Sequence, residues 1–87
     1  MYAVVVRVKI NDVQRGEERL RNEVVPRVSQ APGFKAGYWT RRDDTGLSML
    51  IFESEENARA AADRVPENMP DAVDLQDVEI REVVVSA

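Results

Sequence analysis

The pattern of hydrophobic and polar positions along the chain predicts four β-strands. They span Tyr2 to Ile10, Phe34 to Arg42, Leu47 to Glu53 and Asp77 to Ser86. The first strand is fully apolar on one face and half apolar on the other, where Arg7 and Lys9 lie, and the third strand has apolar residues on both faces. The second and fourth strands carry more charged residues. Because successive side chains of a strand point to opposite faces, we expect the first and third strands at the sheet centre, with both faces at least partly covered.

Two stretches with helical spacing separate these strands. The first helix is predicted from about Val13 to Ser29, after Asn11-Asp12, whose side chains can cap it. Pro26 removes the N–H that would bond to the Asn22 carbonyl, so we expect a kink or a broken last turn there. The second helix is predicted from the N-cap Ser54 to about Val65.

Three connecting segments complete the pattern. Ala31-Pro32-Gly33 is predicted to end the first helix, and Asp43 to Gly46 is predicted to form a turn in which Gly46 adopts positive φ. Pro66 to Gln76 reads as a connector. From this connector, Met69, Val73 and Leu75 are expected to fold over the core.

The resulting order, β-α-β-β-α-β, predicts a single α+β domain over residues 1–87 with the ferredoxin-like plan. Right-handed crossovers place both helices on one face of a four-stranded antiparallel sheet of order 4-1-3-2. The other face would then be bare, although its central strands are apolar. A large bare apolar face is unusual for a monomer, so we expect a homodimer packed through the sheet faces.

The composition excludes several classes of chemistry. The chain has no Cys and no His, so disulfides, thiolate metal sites, Cys nucleophiles and Ser–His–Asp triads are excluded. The acidic residues show no metal-binding spacing, and the scattered glycines form no phosphate-binding loop. We therefore predict no metal and no cofactor.

The charge balance argues against nucleic acid and membranes as partners. Sixteen Asp and Glu residues oppose twelve Lys and Arg residues, with no dense basic run. The N-terminal apolar run is interrupted by charge and is better explained as a strand than as a signal peptide, and no stretch reaches the length of a membrane span. We predict a cytoplasmic protein.

Several short motifs resemble one known family. Ala31-Pro32-Gly33-Phe34, Gly37-Tyr38-Trp39 and Phe52-Glu53-Ser54-Glu55-Glu56 resemble the antibiotic-biosynthesis-monooxygenase-like group of the dimeric α/β-barrel superfamily, most specifically over residues 24 to 62. The resemblance implies two ferredoxin-like subunits joined through their sheets, each with a cavity between sheet and helices. It also implies that the protein binds or oxidises a small aromatic or quinone-like compound without a cofactor, but it assigns no catalytic residue here.

The candidate ligand-binding residues are Tyr38, Trp39 and Arg41. Tyr38 and Trp39 are adjacent in a strand, so only one of them can face the helices and a cavity there. Either can supply an aromatic wall for a planar ligand, and Arg41 can orient an anionic one. The competing interpretation is core and interface packing for Tyr38 and Trp39. For the basic residues it is strand-edge and interface ion pairing, of Arg7, Lys35, Arg41 and Arg42 with Glu79, Glu82 or Asp43.

Other functions are compatible with the same strand order. The main alternative is a non-catalytic homodimeric module that binds a ligand or another protein, and an amino-acid-binding regulatory domain has the same topology. An RNA-binding domain ranks last, because it would need stacking aromatics on the third strand and a basic sheet face. Here that strand is Leu-Ser-Met-Leu-Ile-Phe and the chain is acidic.

Overall fold

The computed structural model describes all residues, 1–87, and contains one four-stranded sheet with helices on one face. The strands are β1 (Tyr2–Ile10), β2 (Phe34–Arg42), β3 (Thr45–Phe52) and β4 (Val73–Glu82). The helices are α1 (Val13–Arg19), a π-helical turn (Leu20–Val24), α2 (Val25–Ser29), α3 (Glu55–Arg64) and a 3₁₀ turn (Pro66–Asn68). No helix is both long and apolar enough to cross a membrane.

All strand pairs in the sheet are antiparallel, and the order is β2-β3-β1-β4. Read from the β4 edge, this is 4-1-3-2. The small α+β architecture is compatible with a ferredoxin-like fold. As predicted, the two most apolar strands, β1 and β3, lie at the centre, where each has a hydrogen-bonded neighbour on both sides.

The hydrophobic core lies between the sheet and the helices. It contains six buried residues from the two central strands and the α3 region: Val4, Val6, Leu50, Phe52, Ala58 and Val65. Phe34 packs edge-on against Phe52, with ring centroids 5.8 Å apart. Small side chains on α3, such as the fully buried Ala58, let this helix lie close to β1 and β4.

The first helical segment is interrupted as the sequence suggests, but the irregularity precedes Pro26. The N–H of Val25 bonds to the Leu20 carbonyl, five residues back, so the turn before Pro26 is widened. A proline in a regular helix clashes with the carbonyl four residues earlier, here Asn22. The wider π-helical turn accommodates Pro26 without ending the helix, which continues to Ser29.

The fourth strand was placed wrongly by the sequence pattern. β4 begins at Val73 and ends at Glu82, four residues earlier than predicted at each end, so Val73 and Leu75 belong to the sheet and not to a connector. The pairing with β1 shifts between Arg7 and Val8, and this irregularity interrupts the alternation that the prediction relied on. Val84 and Val85 lie beyond the strand and are exposed.

The turn between β2 and β3 also differs from the prediction. The loop is only Asp43-Asp44, since Arg42 pairs with Thr45, and Asp43 has the positive φ of 54°. Gly46 is instead a buried residue of β3. A Cβ at Gly46 would come within 2.7 Å of Val8 Cγ2, so this glycine provides space on the helix-covered face and does not form the turn.

Candidate functional site

A cavity of about 530 Å³ lies between the sheet, the first helical segment and α3. This volume is in the range of small-molecule sites. Most of the lining side chains are apolar and come from β1, β3, the helices and the π-helical turn, for example Val6, Leu50, Leu20, Val24 and Val28. We call this space the helix-side cavity.

Trp39 supplies the aromatic part of the cavity wall. It is half-buried on β2 and stands opposite Ser48 of β3, which in turn pairs with Val6 of β1. A Cβ at Gly37 would come within 2.9 Å of the Trp39 ring atom Cη2. Gly37 therefore permits the indole to lie flat along the strand, and its presence in β2 reflects this close contact.

Three polar contacts lie at the edge of the cavity. Arg41 Nε is 3.5 Å from Glu17 Oε1, which joins β2 to α1, and the Arg41 Nη1 donates to the Asp43 carbonyl at 2.9 Å. On α2, Arg27 Nη1 donates to Asn68 Oδ1 at 2.9 Å. The side chains in these contacts line the cavity; Glu17, Arg27 and Arg41 are exposed and Asn68 is partly buried, so they form its rim.

The cavity lining is more positive than the protein as a whole. Its charged side chains are three arginines and two glutamates: Arg27, Arg41, Arg64, Glu17 and Glu56. The whole chain carries a formal charge of −4. Arginine forms bidentate hydrogen bonds with carboxylates, so the rim can recognise an anionic substituent.

The structure separates the three predicted site residues. Trp39 and Arg41 lie two residues apart on the same face of β2, and both line the helix-side cavity. Tyr38 points to the opposite face and is 65% exposed. The predicted division of the two aromatics between faces is therefore confirmed, and Trp39 is the one that faces the cavity.

The sheet face without helices, which we call the open face, carries an exposed apolar band. Val5, Met49 and Tyr38 stand in one row across β1, β3 and β2, and Leu47 lies beside them. Val5 is buried by its neighbours, whereas Met49 and Leu47 are each 42% exposed. An exposed apolar group of this kind is typical of an interaction surface.

Charged residues border this band along β4. Arg7 contacts Asp77 and Glu79 at 3.3 and 3.0 Å, and Arg81 also reaches Glu79 at 3.0 Å. Hydrogen bonding to Arg81 and Arg7 holds the pKa of the Glu79 carboxyl below its ordinary value of about 4.5. The predicted strand-edge ion pairing is confirmed for Arg7, whose partners include Glu79. This network occupies the edge of the open face.

Sequence reasoning missed two parts of the cavity. Glu17 was not among the candidate ligand-binding residues, yet it contacts Arg41. Ser48 was not among them either, although it is the one polar side chain of β3 that lines the cavity. The alternation of β2 and β3 places Ser48 on the face of Trp39, and this was the available signal.

No group of three or more His, Cys, Asp or Glu side chains is arranged to hold a metal ion. A scan against protein-family models finds no match, and a search of curated proteins finds no significant match. The functional argument therefore rests on the geometry of the helix-side cavity and the open face.

Proposed function

We propose that this protein is a homodimer of the antibiotic-biosynthesis-monooxygenase-like type whose subunits each bind a small planar aromatic or quinone-like compound in the helix-side cavity. One observation carries the proposal: an apolar space of about 530 Å³ that has the only tryptophan of the chain in its wall. The motif resemblance around Phe34, Trp39 and Ser54 supports the same class.

The lining favours a flat and mostly apolar ligand. Trp39 offers an aromatic surface for offset or edge-on contact with another ring. Leu20 and Val24 of the π-helical turn face the same space. A few polar groups among apolar walls are the usual composition of a small-molecule site, in which they fix the orientation of the ligand.

A homodimer would explain why the open face carries exposed apolar side chains. Packing two such faces together would cover Tyr38, Leu47 and Met49, which are otherwise partly exposed to water. The helix-side cavity lies on the other side of the sheet, so this association leaves it accessible in both subunits. Dimerisation and ligand binding therefore use separate surfaces.

The binding part of the proposal can be tested with 2-naphthamide, an uncharged planar aromatic. The protein has three methionines: Met69 lines the cavity, Met49 lies on the open face and Met1 is at the N-terminus. In a titration followed by NMR of ¹³C-labelled Met methyl groups, we expect saturable shifts of Met69 and of the Trp39 indole N–H. Shifts confined to Met49, or none at all, would contradict cavity binding.

Oxidation is the further step that the resemblance implies. Cofactor-independent oxygenation requires an oxidisable substrate held in a dry pocket, and it needs no histidine. Oxygen uptake with a panel of anthrone-like compounds tests this step. Binding without uptake would favour the alternative, a non-catalytic homodimeric ligand-binding module, and dimerisation without binding would favour an interaction module.

A further inference from the structure

Arg41 is held at the cavity rim mainly by the backbone. Its Nη1 donates to the Asp43 carbonyl in the β2–β3 turn at 2.9 Å. The contact with Glu17 is longer, with 3.5 Å between Arg41 Nε and Glu17 Oε1, and both side chains are about half exposed. Since exposed ion pairs contribute little to stability, a better-placed anion can displace Glu17 from Arg41 at low cost.

The residue that pairs with Arg41 in β3 has no side chain. Arg41 pairs with Gly46 of β3, and the Gly46 Cα faces Val8 so closely that a Cβ would collide with Val8 Cγ2. The adjacent position on the same face of β2 is Trp39. A ring packed against Trp39 would therefore have Arg41 two residues further along the same strand, with no β3 side chain between them.

We infer that the ligand of the helix-side cavity is a planar aromatic carrying a carboxylate, which Arg41 binds in place of Glu17. This inference rests on the proposed function and adds a ligand class to it. Arg41 is the specificity-determining residue, and Glu17 competes with the ligand for its guanidinium. The excess of arginine over glutamate in the cavity lining favours the same sign of charge.

A matched pair of probes tests this inference: 2-naphthoate carries a carboxylate where 2-naphthamide carries an uncharged amide of nearly the same shape. At fixed, low ionic strength we expect 2-naphthoate to bind about tenfold more tightly, as judged by the Met69 methyl shift, because of its charged hydrogen bonds. Arg41→Gln should reduce the ratio of the two affinities to about one.

Removing the charge of Glu17, which competes with the ligand for Arg41, should change the affinity for 2-naphthoate in the opposite direction. Glu17→Gln should tighten 2-naphthoate binding about threefold, since an exposed ion pair no longer has to be broken, and should raise the ratio of the 2-naphthoate affinity to the 2-naphthamide affinity. Two controls reproduce the charge changes elsewhere: Glu18→Gln beside Glu17 on α1, and Arg42→Gln, on the open face of β2. Neither control should alter the ratio of the two affinities.

The outcomes separate the two proposals. If neither probe shifts Met69, the proposed function fails. If 2-naphthamide binds but 2-naphthoate is not preferred, or if Glu17→Gln leaves its affinity unchanged, the anion inference fails and the proposed function stands. A preference for 2-naphthoate that survives Arg41→Gln but is lost in Arg64→Gln would also overturn the assignment to Arg41.

Discussion

Tyr38 and Trp39 illustrate how much a single residue can be assigned from sequence. Strand alternation alone predicts that they lie on opposite faces. Alternation does not say which of the two faces the helices. That depends on the pairing of β2 with β3, in which Trp39 stands opposite Ser48, on the same face of the sheet as the core residues. The predicted site residues Trp39 and Arg41 thus meet at one cavity, whereas Tyr38 belongs to the open face.

The ion-pair network of Glu79 predicts a specific dependence of stability on pH. The pKa of this carboxyl is lowered in the folded state, so its contribution to the free energy of unfolding is present above about pH 4.5 and is lost as the pH falls through the folded-state value. Glu79→Gln should therefore lower stability near neutral pH and flatten its decline in acid.

Urea unfolding at a series of pH values, from neutral into the acid range, measures this effect. The exposed Glu67 lies outside the ion pairs of the structure, and Glu67→Gln is the matched control, which should keep the steep decline of the wild type. Curves for wild type and Glu79→Gln that remain parallel below about pH 4.5 would contradict the role of Glu79.

At the scale of elements, the sequence predicted strand and helix order well and boundaries less well. The Ser54 cap, the extent of β2 and the central position of β1 follow from local chemistry and apolar pattern, and the structure confirms them. The start of β4 does not follow from the apolar pattern, because the register shift beside Arg7 breaks the alternation of apolar and polar residues in β4. The widened turn before Pro26 depends on where the helix packs, which the proline alone does not determine.

Gly16 gives a prediction at this scale. It is buried in α1, facing β1 and β4, and a Cβ there would lie 3.4 Å from Ile10 Cγ2 and 3.6 Å from Val73 Cγ2. Since these are close but tolerable contacts, the greater helix propensity of alanine should dominate. Gly16→Ala is expected to raise the free energy of unfolding by about 0.5–1 kcal/mol.

Thermal unfolding followed by circular dichroism checks this, with Gln14→Ala as a control on the exposed side of the same helix. Gly16→Ala should raise the melting temperature by roughly 2–8 °C. A melting temperature below that of the wild type would mean that the contacts of the new methyl group with Ile10 and Val73 cost more than the gain in helix propensity.

The whole molecule has one sheet face that is covered by helices and one that is not. The apolar band of the open face and the homodimer were expected from the alternation of β1 and β3, and the structure confirms the exposed apolar side chains, Leu47 and Met49 among them. The association of two subunits through this face is what we propose. The cavity volume was beyond sequence reasoning, because it depends on how far the first helical segment stands from the sheet.

Met49→Lys tests the homodimer. A charge in the centre of the apolar band would be buried without a partner in a sheet-to-sheet dimer, so this variant should be monomeric. In the monomer the lysine can extend into water, so folding should be retained. Gln14→Lys adds the same charge on α1 and should remain dimeric. Sedimentation velocity at micromolar concentration measures both, and a monomeric wild type would contradict the proposal.

The central claim is that the helix-side cavity is a binding site and not a packing defect. Ser48 faces it from β3, and Ser48→Ile should fill part of the space, adding about 1 kcal/mol of stability from the buried carbon atoms. Ser48→Ala removes the hydroxyl without filling the cavity.

The most direct measurement is the 2-naphthamide titration of these two variants, followed through the Met69 methyl group. We expect Ser48→Ile to be more stable than the wild type and to lose binding, whereas Ser48→Ala keeps an affinity close to that of the wild type. Ser48→Ile that is folded, more stable and still binds 2-naphthamide with unchanged affinity would contradict the account.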